Sequence, residues 1–426
     1  MTPLNGLRCR GGRAAFVALL CMWPVASAFS LSDRRPGSPE LVQLQRIDYL
    51  DQIAREPSIV EHPTGALFVT GYANIFATPP QTLAQLWKSS DHGATWVRVD
   101  LGPDAVAQSD VSLAVAPDGT IYFATMQFDA KAMEGVHIVV GVSKDAGSSW
   151  HWTVLSKKRY DDRPWVAVAP DGTAHVIWND DSGVYHVVTH DRGETWSKPD
   201  IVNPAGGSSH LAVGPNGEVA VRIAPVSASG NIYTEGVDLI AVSPDGGKTW
   251  QKHLAPGERD WAPMDTPGAT PRWVEPLAWD SQGSLYSLWT NFKGVWLAQS
   301  SDRGATWKQQ KIVEIEELSY YPFLVARGPG ELAATWFSGA GSSLRWHVCE
   351  IELGTDISHP RVFQSAALQS ESWFASEEPD HALVRTTAGE YVTTIFLRDG
   401  TIAVVTPIQN AKEKRLGFTF WRFKRN

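Results

Sequence analysis

The chain has 426 residues, of which 43% are hydrophobic and only 19% are charged. This composition excludes intrinsic disorder, and the absence of a Gly-X-Y or heptad period excludes collagen and coiled coils. The formal charge of −9 argues against nucleic acid as a partner, because phosphate contacts require a basic surface. The 36 glycines, 27 prolines and 19 tryptophans predict many turns and a recurring aromatic position.

The first 28 residues are predicted to be an export signal. Three arginines between positions 8 and 13 precede an apolar run, and Ala26-Ser27-Ala28 is a typical cleavage site. The run is too short for a membrane span, and no other stretch approaches that length. We therefore expect a secreted or periplasmic protein without a membrane span. Cleavage would change the formal charge to −12 and leave Cys349 without an intrachain disulfide partner.

A repeated octapeptide is the strongest signal in the chain. Its five copies are Ser89–Trp96, Ser143–Trp150, Thr189–Trp196, Ser243–Trp250 and Ser300–Trp307. The aspartates at its third position are 54, 46, 54 and 57 residues apart. A period near fifty indicates one supersecondary unit repeated along the chain. Within each copy, the Asp and Ser/Thr side chains can bond turn amides, and the glycine can adopt positive φ.

A second series of turns alternates with the octapeptides. Its glycines are Gly65, Gly119, Gly172, Gly217, Gly283, Gly330 and Gly389. Each lies between two apolar, β-branched runs, so each unit is predicted to contain two hairpins and four strands. The fold class is therefore all-β, a β-propeller of four-stranded antiparallel blades. We predict seven blades, with six as the alternative; residues 56–426 form the propeller and residues 29–55 lead into it.

The octapeptides resemble the Asp-box, or BNR, repeat of the sialidase superfamily. The resemblance covers residues 56–314, and the unmarked units extend it to the C-terminus. In that family the Asp boxes lie on the face away from the active site. The resemblance therefore implies that the five octapeptide aspartates shape turns and do no chemistry.

The predicted site lies at the other end of the axis. If both turn series share one face, the residues that begin each first strand surround the axis on the opposite face. Convergent polar groups in a concave setting are the default candidate for a site. The candidates are Arg55, Asp110, Asp162, Arg163, His210, Arg272, Glu275, Tyr320, Tyr321 and His381. Polar residues that merely line a wet channel are the alternative.

The resemblance implies roles for some of these residues. Glu275 and Tyr321 lie in segments similar to those of the catalytic glutamate and the nucleophilic tyrosine, and Arg55 matches the first arginine that binds the sialic acid carboxylate. A neutral tyrosine needs a nearby carboxylate as base, and arginine binds carboxylates through two parallel hydrogen bonds. The family's second arginine and its acid/base aspartate have no counterpart in residues 71–80. Arg222, Arg272 or Arg345 could substitute spatially for a missing arginine.

Two classes of function follow. The first is an exported propeller that binds an acidic glycan and, if it is an enzyme, hydrolyses it. Glu275 and Tyr321 would be the catalytic residues, and the acidic group would be bound by Arg55, Arg163 and Arg272. A lyase variant would use His210 and His381. The second is a non-catalytic propeller that binds or assembles with a protein partner. No cofactor or metal is expected, since phosphate-loop, zinc and EF-hand spacings are missing from the sequence.

Overall fold

The computed structural model describes most of the chain after residue 39. The described residues are 40–51, 54–72, 84–103, 105, 108–129, 131–132, 134–225, 238–257, 274–291, 294–315, 319–339, 344–354, 357–369, 392–410 and 415–426.

All regular secondary structure in the described part of the chain is β-strand. The first strands are β1 (Leu41–Leu50), β2 (Arg55–Glu61), β3 (Leu67–Tyr72), β4 (Ala84–Ser89), β5 (Val97–Arg98), β6 (Ser109–Val115), β7 (Ile121–Asp129), β8 (Glu134–Ser143), β9 (His151–Ser156), β10 (Asp162–Val168), β11 (Ala174–Asp180), β12 (Gly183–Thr189), β13 (Asp200–Asn203) and β14 (Gly207–Val213). They are followed by β15 (Val219–Ala224), β16 (Leu239–Ser243), β17 (Gln251–Leu254), β18 (Leu277–Trp279), β19 (Leu285–Asn291), β20 (Gly294–Ser300), β21 (Lys308–Glu314), β22 (Ser319–Ala326), β23 (Glu331–Ser338), β24 (Arg345–Glu352), β25 (Arg361–Gln364), β26 (Leu368–Gln369), β27 (Thr394–Phe396), β28 (Ile402–Asn410) and β29 (Arg415–Arg425).

These strands form the seven antiparallel blades of a β-propeller, as the sequence predicts. Blades 1 to 6 are β2–β5, β6–β9, β10–β13, β14–β17, β18–β21 and β22–β25, each in chain order from the axis outward, and β26 pairs with β24.

Among the described residues there is no helix with the length and apolar character that a membrane crossing needs.

Blade 7 is built from both ends of the chain. Its strand order is β27-β28-β29-β1, so the N-terminal strand β1 is its outermost strand. Strand β1 pairs with β29 along nearly its whole length, from Leu41 opposite Arg425 to Leu50 opposite Gly417. This strand lies within residues 29–55, for which the sequence alone predicts a segment that leads into the propeller. The ring is thus closed by backbone hydrogen bonds between the two ends of the propeller.

The hydrophobic core is divided among the blade interfaces. Seven clusters of buried apolar residues occur in the described part of the chain, and each joins two neighbouring blades. The cluster between blades 7 and 1 contains Phe418 and Phe420 of β29 together with Val69, Trp87 and Trp96. Because both faces of each sheet are buried, the strands are apolar on both sides.

The octapeptides form the turns between the third and fourth strands. In the first copy, Ser89 Oγ accepts a hydrogen bond from the Gly93 amide at 2.8 Å, and Asp91 Oδ1 accepts one from the Thr95 amide at 2.9 Å. Equivalent bonds occur in the other four copies. His92 and Gly93 both have positive φ, at 58° and 84°. The aspartates therefore hold turns, as the sequence predicts.

Glycine in this turn also permits close packing of neighbouring blades. A Cβ atom on Gly93 would lie 2.2 Å from Phe420 of blade 7, and one on Gly247 would lie 2.2 Å from His186 of blade 3. Each of these octapeptides thus packs against the preceding blade.

One turn of the second series is misplaced in the sequence analysis. Six of its glycines, from Gly65 to Gly330, lie in the turns between first and second strands, each with positive φ. In blade 7 that turn is at Gly400, where φ is 83°. Gly389 lies outside the described residues. The prediction was wrong because Asp399-Gly400-Thr401 carries the turn chemistry: the Thr401 amide donates to Asp399 Oδ1 at 3.0 Å.

We predict that the fold depends on strand β1. A chain that begins at Ala54 lacks the partner of β29 and also Asp51, which accepts hydrogen bonds from Trp87 Nε1 and Arg98 of blade 1. Loss of buried Leu41 and the partly buried Ile47 and Tyr49 should reduce the free energy of unfolding by about 5 kcal/mol, at about 1.5–3 kcal/mol per apolar side chain.

The measurement is urea unfolding followed by circular dichroism. A chain that begins at Pro39 keeps β1 and is the matched control. Equal unfolding midpoints for the two chains would contradict closure of the ring by β1.

Candidate functional site

A ring of strained residues marks one end of the axis. Four non-glycine residues have positive φ near the start of the first strand of their blade: Glu56 at 48°, Asp110 at 41°, Arg163 at 50° and Tyr321 at 51°. Each lies nine positions before the turn glycine of its blade, and each coincides with a shift in strand register. We call these four residues the bulge ring. β-Bulges of this kind redirect side chains and are common beside active sites.

The bulge ring contains or adjoins most of the predicted binding residues. Arg55 lies beside Glu56, with Nη2 3.5 Å from Glu56 Oε1. Arg163 lies beside Asp162, with Nε 3.7 Å from Asp162 Oδ2. Asp110 is half-buried. Blades 1, 2 and 3 thus bring acidic and basic groups to the same end of the axis.

Glu275 lies in a buried ion network. Its side chain is 2% exposed, and Oε2 accepts hydrogen bonds from Arg222 Nε at 3.1 Å and Nη2 at 2.6 Å. Arg222 is fully buried on β15 and also binds Asp238. Burial alone would lower the pKa of Arg222, but Asp238 and Glu275 outweigh it and raise the pKa, so the guanidinium is charged. Arg222 thus holds the predicted catalytic carboxylate in place.

The backbone around Glu275 is fixed by blade 4. The Glu275 amide donates to Ser209 Oγ at 2.9 Å, and the Leu277 amide donates to His210 Nδ1 at 3.2 Å. Sequence reasoning missed Ser209 and Asp238. One signal in the sequence could have indicated an acidic partner such as Asp238. Arg222 is a charged residue inside the apolar run Val219–Ala224, and a buried arginine requires a paired negative charge.

The two predicted tyrosines are packed side chains. Tyr320 is fully buried and donates a hydrogen bond from its hydroxyl to the Gly339 carbonyl at 3.0 Å; burial raises its pKa. Tyr321 is 1% exposed, and its ring lies 5.3 Å from that of Tyr320, edge to face. Both belong to the apolar cluster between blades 6 and 7.

His210 is held as a neutral imidazole. A backbone amide can only donate, so Nδ1, which accepts from Leu277, carries no proton and Nε2 carries it. Burial lowers the pKa of His210 to about 3. The side chain can therefore donate a hydrogen bond from Nε2 but is not a general base there.

A second layer lies below the bulge ring. In every blade the residue seven positions before the turn glycine falls at this level, two residues or about 6 Å further along the first strand. We call these seven residues the floor layer: Ser58, Ser112, Trp165, His210, Pro276, Phe323 and Thr393.

Four floor residues connect neighbouring blades. Trp165 Nε1 donates to the Ser208 carbonyl at 3.2 Å, and Thr393 Oγ1 donates to the Pro57 carbonyl at 2.7 Å. Ser112 Oγ accepts from the Val166 amide at 3.2 Å, and His210 accepts from Leu277. In each case the partner belongs to the next blade.

The floor layer also closes the channel on one side. The ring of His210 lies 4.9 Å from Trp165 and 5.6 Å from Phe323. His210 and Phe323 belong to blades 4 and 6, which are not neighbours, so this contact lies in the central channel. The bulge ring lies on one side of this contact along the axis.

Two predicted residues, Arg272 and His381, lie outside the described residues. Arg345, a possible substitute arginine, is exposed at the start of β24. Among the described residues, no group of three or more His, Cys, Asp or Glu side chains is placed to hold a metal ion.

Comparisons with known proteins support the fold. No family model matches the chain, and no curated protein matches it. Among solved structures, the chain is similar to an ulvan lyase described as a new family of polysaccharide lyase, with a TM-score of 0.53 and 10% identity over 88% of this chain and 95% of the lyase.

Two further solved structures resemble the chain more weakly. One is the phage phi92 endosialidase, with a TM-score of 0.49 and 11% identity over 91% of this chain and 69% of that one. The other is an α-L-arabinofuranosidase from Fusarium graminearum, with a TM-score of 0.47 and 13% identity over 91% and 98%. At this identity, similarity to the lyase establishes the propeller fold and no activity.

We predict that Arg222 stabilises the site. Arg222→Met would leave the buried carboxylates of Glu275 and Asp238 without their guanidinium and should reduce the free energy of unfolding by about 3–5 kcal/mol. Arg361→Met is the matched control, because Arg361 is 66% exposed and its pair with Glu352 should contribute less than about 1 kcal/mol. Equal losses in urea unfolding would contradict the assignment.

Proposed function

We propose that the protein binds a glycan at the end of its channel where the bulge ring lies, the bulge end, and acts there on a glycosidic bond. The observation that carries the proposal is the bulge ring. Non-glycine residues with positive φ cost on the order of 1–3 kcal/mol each; they persist only where the surrounding structure holds them, and they cluster at active sites and ligand-binding sites. Four of them, Glu56, Asp110, Arg163 and Tyr321, occupy equivalent positions of four blades at one end of the axis.

Hydrolysis would use Glu275 and Tyr321. In the first step the Tyr321 oxygen would attack the anomeric carbon while Glu275 takes the phenolic proton, and the leaving oxygen would take a proton from an acid. In the second step a water molecule, which gives its proton to the conjugate base of that acid, would attack the anomeric carbon and break its bond to Tyr321, and Tyr321 would recover its proton from Glu275. Asp110 is the half-buried carboxyl group of the bulge ring and is our candidate for that acid. An acidic sugar is the ligand that the sequence resemblance implies, through Arg55, Arg163 and Arg272, so sialylated probes belong in the test.

A lyase that uses His210 as its base is less well supported. Nε2 of His210 already carries a proton, and Nδ1 accepts the Leu277 amide. Proton abstraction by this side chain would require loss of the contact with blade 5.

A non-catalytic propeller is the second candidate function. Its support is the burial of both predicted catalytic groups, since Glu275 is 2% exposed and Tyr321 is 1% exposed. Arg222 binds Glu275 in the manner of a structural ion pair. A protein of this kind would capture a glycan or a protein partner without turnover.

Turnover by Glu275→Gln distinguishes the two candidates. Wild type should release product from fluorogenic glycosides, a sialoside or a polysaccharide, and the variant should lose about 100-fold or more of that rate, as removal of a general base does. The matched control is Glu350→Gln, because Glu350 is also buried and paired with an arginine, Arg425, at 2.8 Å.

Four outcomes are informative. Loss of turnover in Glu275→Gln alone supports the enzyme. Retained turnover in a folded Glu275→Gln variant contradicts its catalytic role. Binding of a glycan without turnover by folded wild type supports the non-catalytic candidate. If folded wild type neither binds nor cleaves a glycan, the proposal that the ligand is a glycan is wrong.

A further inference from the structure

The interface between blades 5 and 6 lacks an octapeptide. The octapeptides of blades 1 to 5 each pack against the preceding blade, because a Cβ atom on the glycine at their fifth position would lie within 4 Å of a side chain of that blade. Blade 6 carries no octapeptide, and residues 353–360 join its third and fourth strands instead. Blade 5 therefore receives no octapeptide from its neighbour.

A cavity of about 330 Å³ lies at this interface, at the octapeptide end of the two blades. Gln299, the residue immediately before the octapeptide of blade 5, borders it. In other blades the residue at this position meets the next octapeptide: Lys88 Nζ donates to the Ala146 carbonyl at 2.9 Å. Val142 and Val242 lie beside the fifth-position glycines of the following blades. The cavity thus occupies the place of the missing octapeptide.

One wall of the cavity contains a chain of hydrogen bonds that starts at Asp280. This buried carboxyl group accepts hydrogen bonds from three backbone amides, one of them that of Gly330 in blade 6 at 3.0 Å. It also accepts the Tyr286 hydroxyl at 2.9 Å. Burial and the Asp280 carboxylate raise the pKa of Tyr286, so the hydroxyl keeps its proton. Because that proton goes to Asp280, the Tyr286 oxygen accepts from Gln299 Nε2 at 3.1 Å.

This chain fixes the orientation of the Gln299 amide. Its Nε2 faces Tyr286, so Oε1 and the second N–H remain for another partner. Lys308, exposed on β21, adds an ammonium donor at the edge of the cavity. Pro329 and Leu353 of blade 6 contribute apolar surface. The cavity therefore combines an acceptor, two kinds of donor and an apolar wall.

A sugar ring matches these groups. Each of its hydroxyls can both donate and accept a hydrogen bond, and its C–H face is apolar. Ligand sites in proteins usually measure about 300–1,000 Å³, so a cavity at the lower end of that range suits a single sugar residue.

We propose that the cavity between blades 5 and 6 is a second glycan site, which binds one sugar residue. One hydroxyl donates to Gln299 Oε1, another accepts from Lys308 Nζ, and the C–H face packs on Leu353 and Pro329. Asp280 is already engaged in four hydrogen bonds, so the site binds a sugar and does no chemistry. It lies at the opposite end of the strands from the bulge ring and goes beyond the function proposed there.

The test is binding of the methyl glycosides of glucose, galactose, mannose, xylose and rhamnose to the wild-type protein by saturation-transfer NMR, with titration of the one that binds best. Gln299→Leu removes both groups offered to the sugar and keeps the size of the side chain. Gly354→Phe places a ring at the edge of the cavity. A Cβ atom on Gly354 would meet no atom within 4 Å, and its φ lies outside the left-handed region, so the backbone tolerates the change.

We expect Gln299→Leu to weaken binding about tenfold, through the loss of two hydrogen bonds, and Gly354→Phe to abolish it. The matched control is Gln309→Leu, because Gln309 is exposed on β21 and does not border the cavity. Its affinity should stay within about twofold of wild type. Thermal unfolding of each variant shows whether the fold is retained.

Arg163→Asn at the bulge ring separates the two sites. Loss of binding in both cavity variants, with melting temperatures close to wild type and binding retained in Arg163→Asn, supports the inference. Loss in Arg163→Asn with unchanged affinity in the cavity variants overturns it and supports the function proposed at the bulge end. If folded wild type binds none of the methyl glycosides, the second site is wrong, and the turnover of Glu275→Gln still decides the proposed function.

Discussion

Every blade of this propeller is a sheet with two apolar faces, and both faces must be covered by other blades. A ring satisfies this requirement because each blade then has two neighbours. The consequence is a core split into seven interfaces. At the interface between blades 7 and 1, Phe418 and Phe420 pack against Trp87 and Trp96. Strand β1 completes the ring by pairing with β29.

The ring then determines where a site can form. The first strands converge at the axis, and at one end they begin with bulges that place Glu56, Asp110, Arg163 and Tyr321 in positive φ. Such strain persists only where surrounding contacts hold it. Close to two of the bulges, Ser112 and Trp165 hydrogen-bond to the next blade, each two residues after a bulge-ring residue, Asp110 or Arg163. The contacts between blades and the bulge end of the channel thus lie within two residues of each other along these strands.

The sequence was sufficient to predict the four-stranded blade, because the octapeptide and the glycine turns are local signals that alternate along the chain. It also named Asp110, Arg163 and Tyr321 as residues that begin first strands, because each lies just before an apolar run, but their positive φ has no signal in the sequence. It could not show that β1 belongs to blade 7, because pairing across the whole chain has no local signature. The turn at Gly400 was readable from Asp399-Gly400-Thr401, which repeats the Asp-Gly-Thr of Asp118 to Thr120.

The chemistry of the site was less predictable. The sequence suggested that arginines bind an acidic group of the ligand. It could not show that Arg222 is already paired with Glu275 and Asp238, both of which are buried. Nor could it fix the tautomer of His210, which depends on the amide of Leu277 in another blade. Both facts depend on contacts between blades.

The most direct test of the account is a crystal structure of the protein with a bound oligosaccharide. The account predicts a sugar at the bulge end of the channel, within about 4 Å of Asp110 or Arg163, the distance of close contact. A sugar bound at the octapeptide end of the axis or on the outer strands, with the bulge end empty, would contradict it.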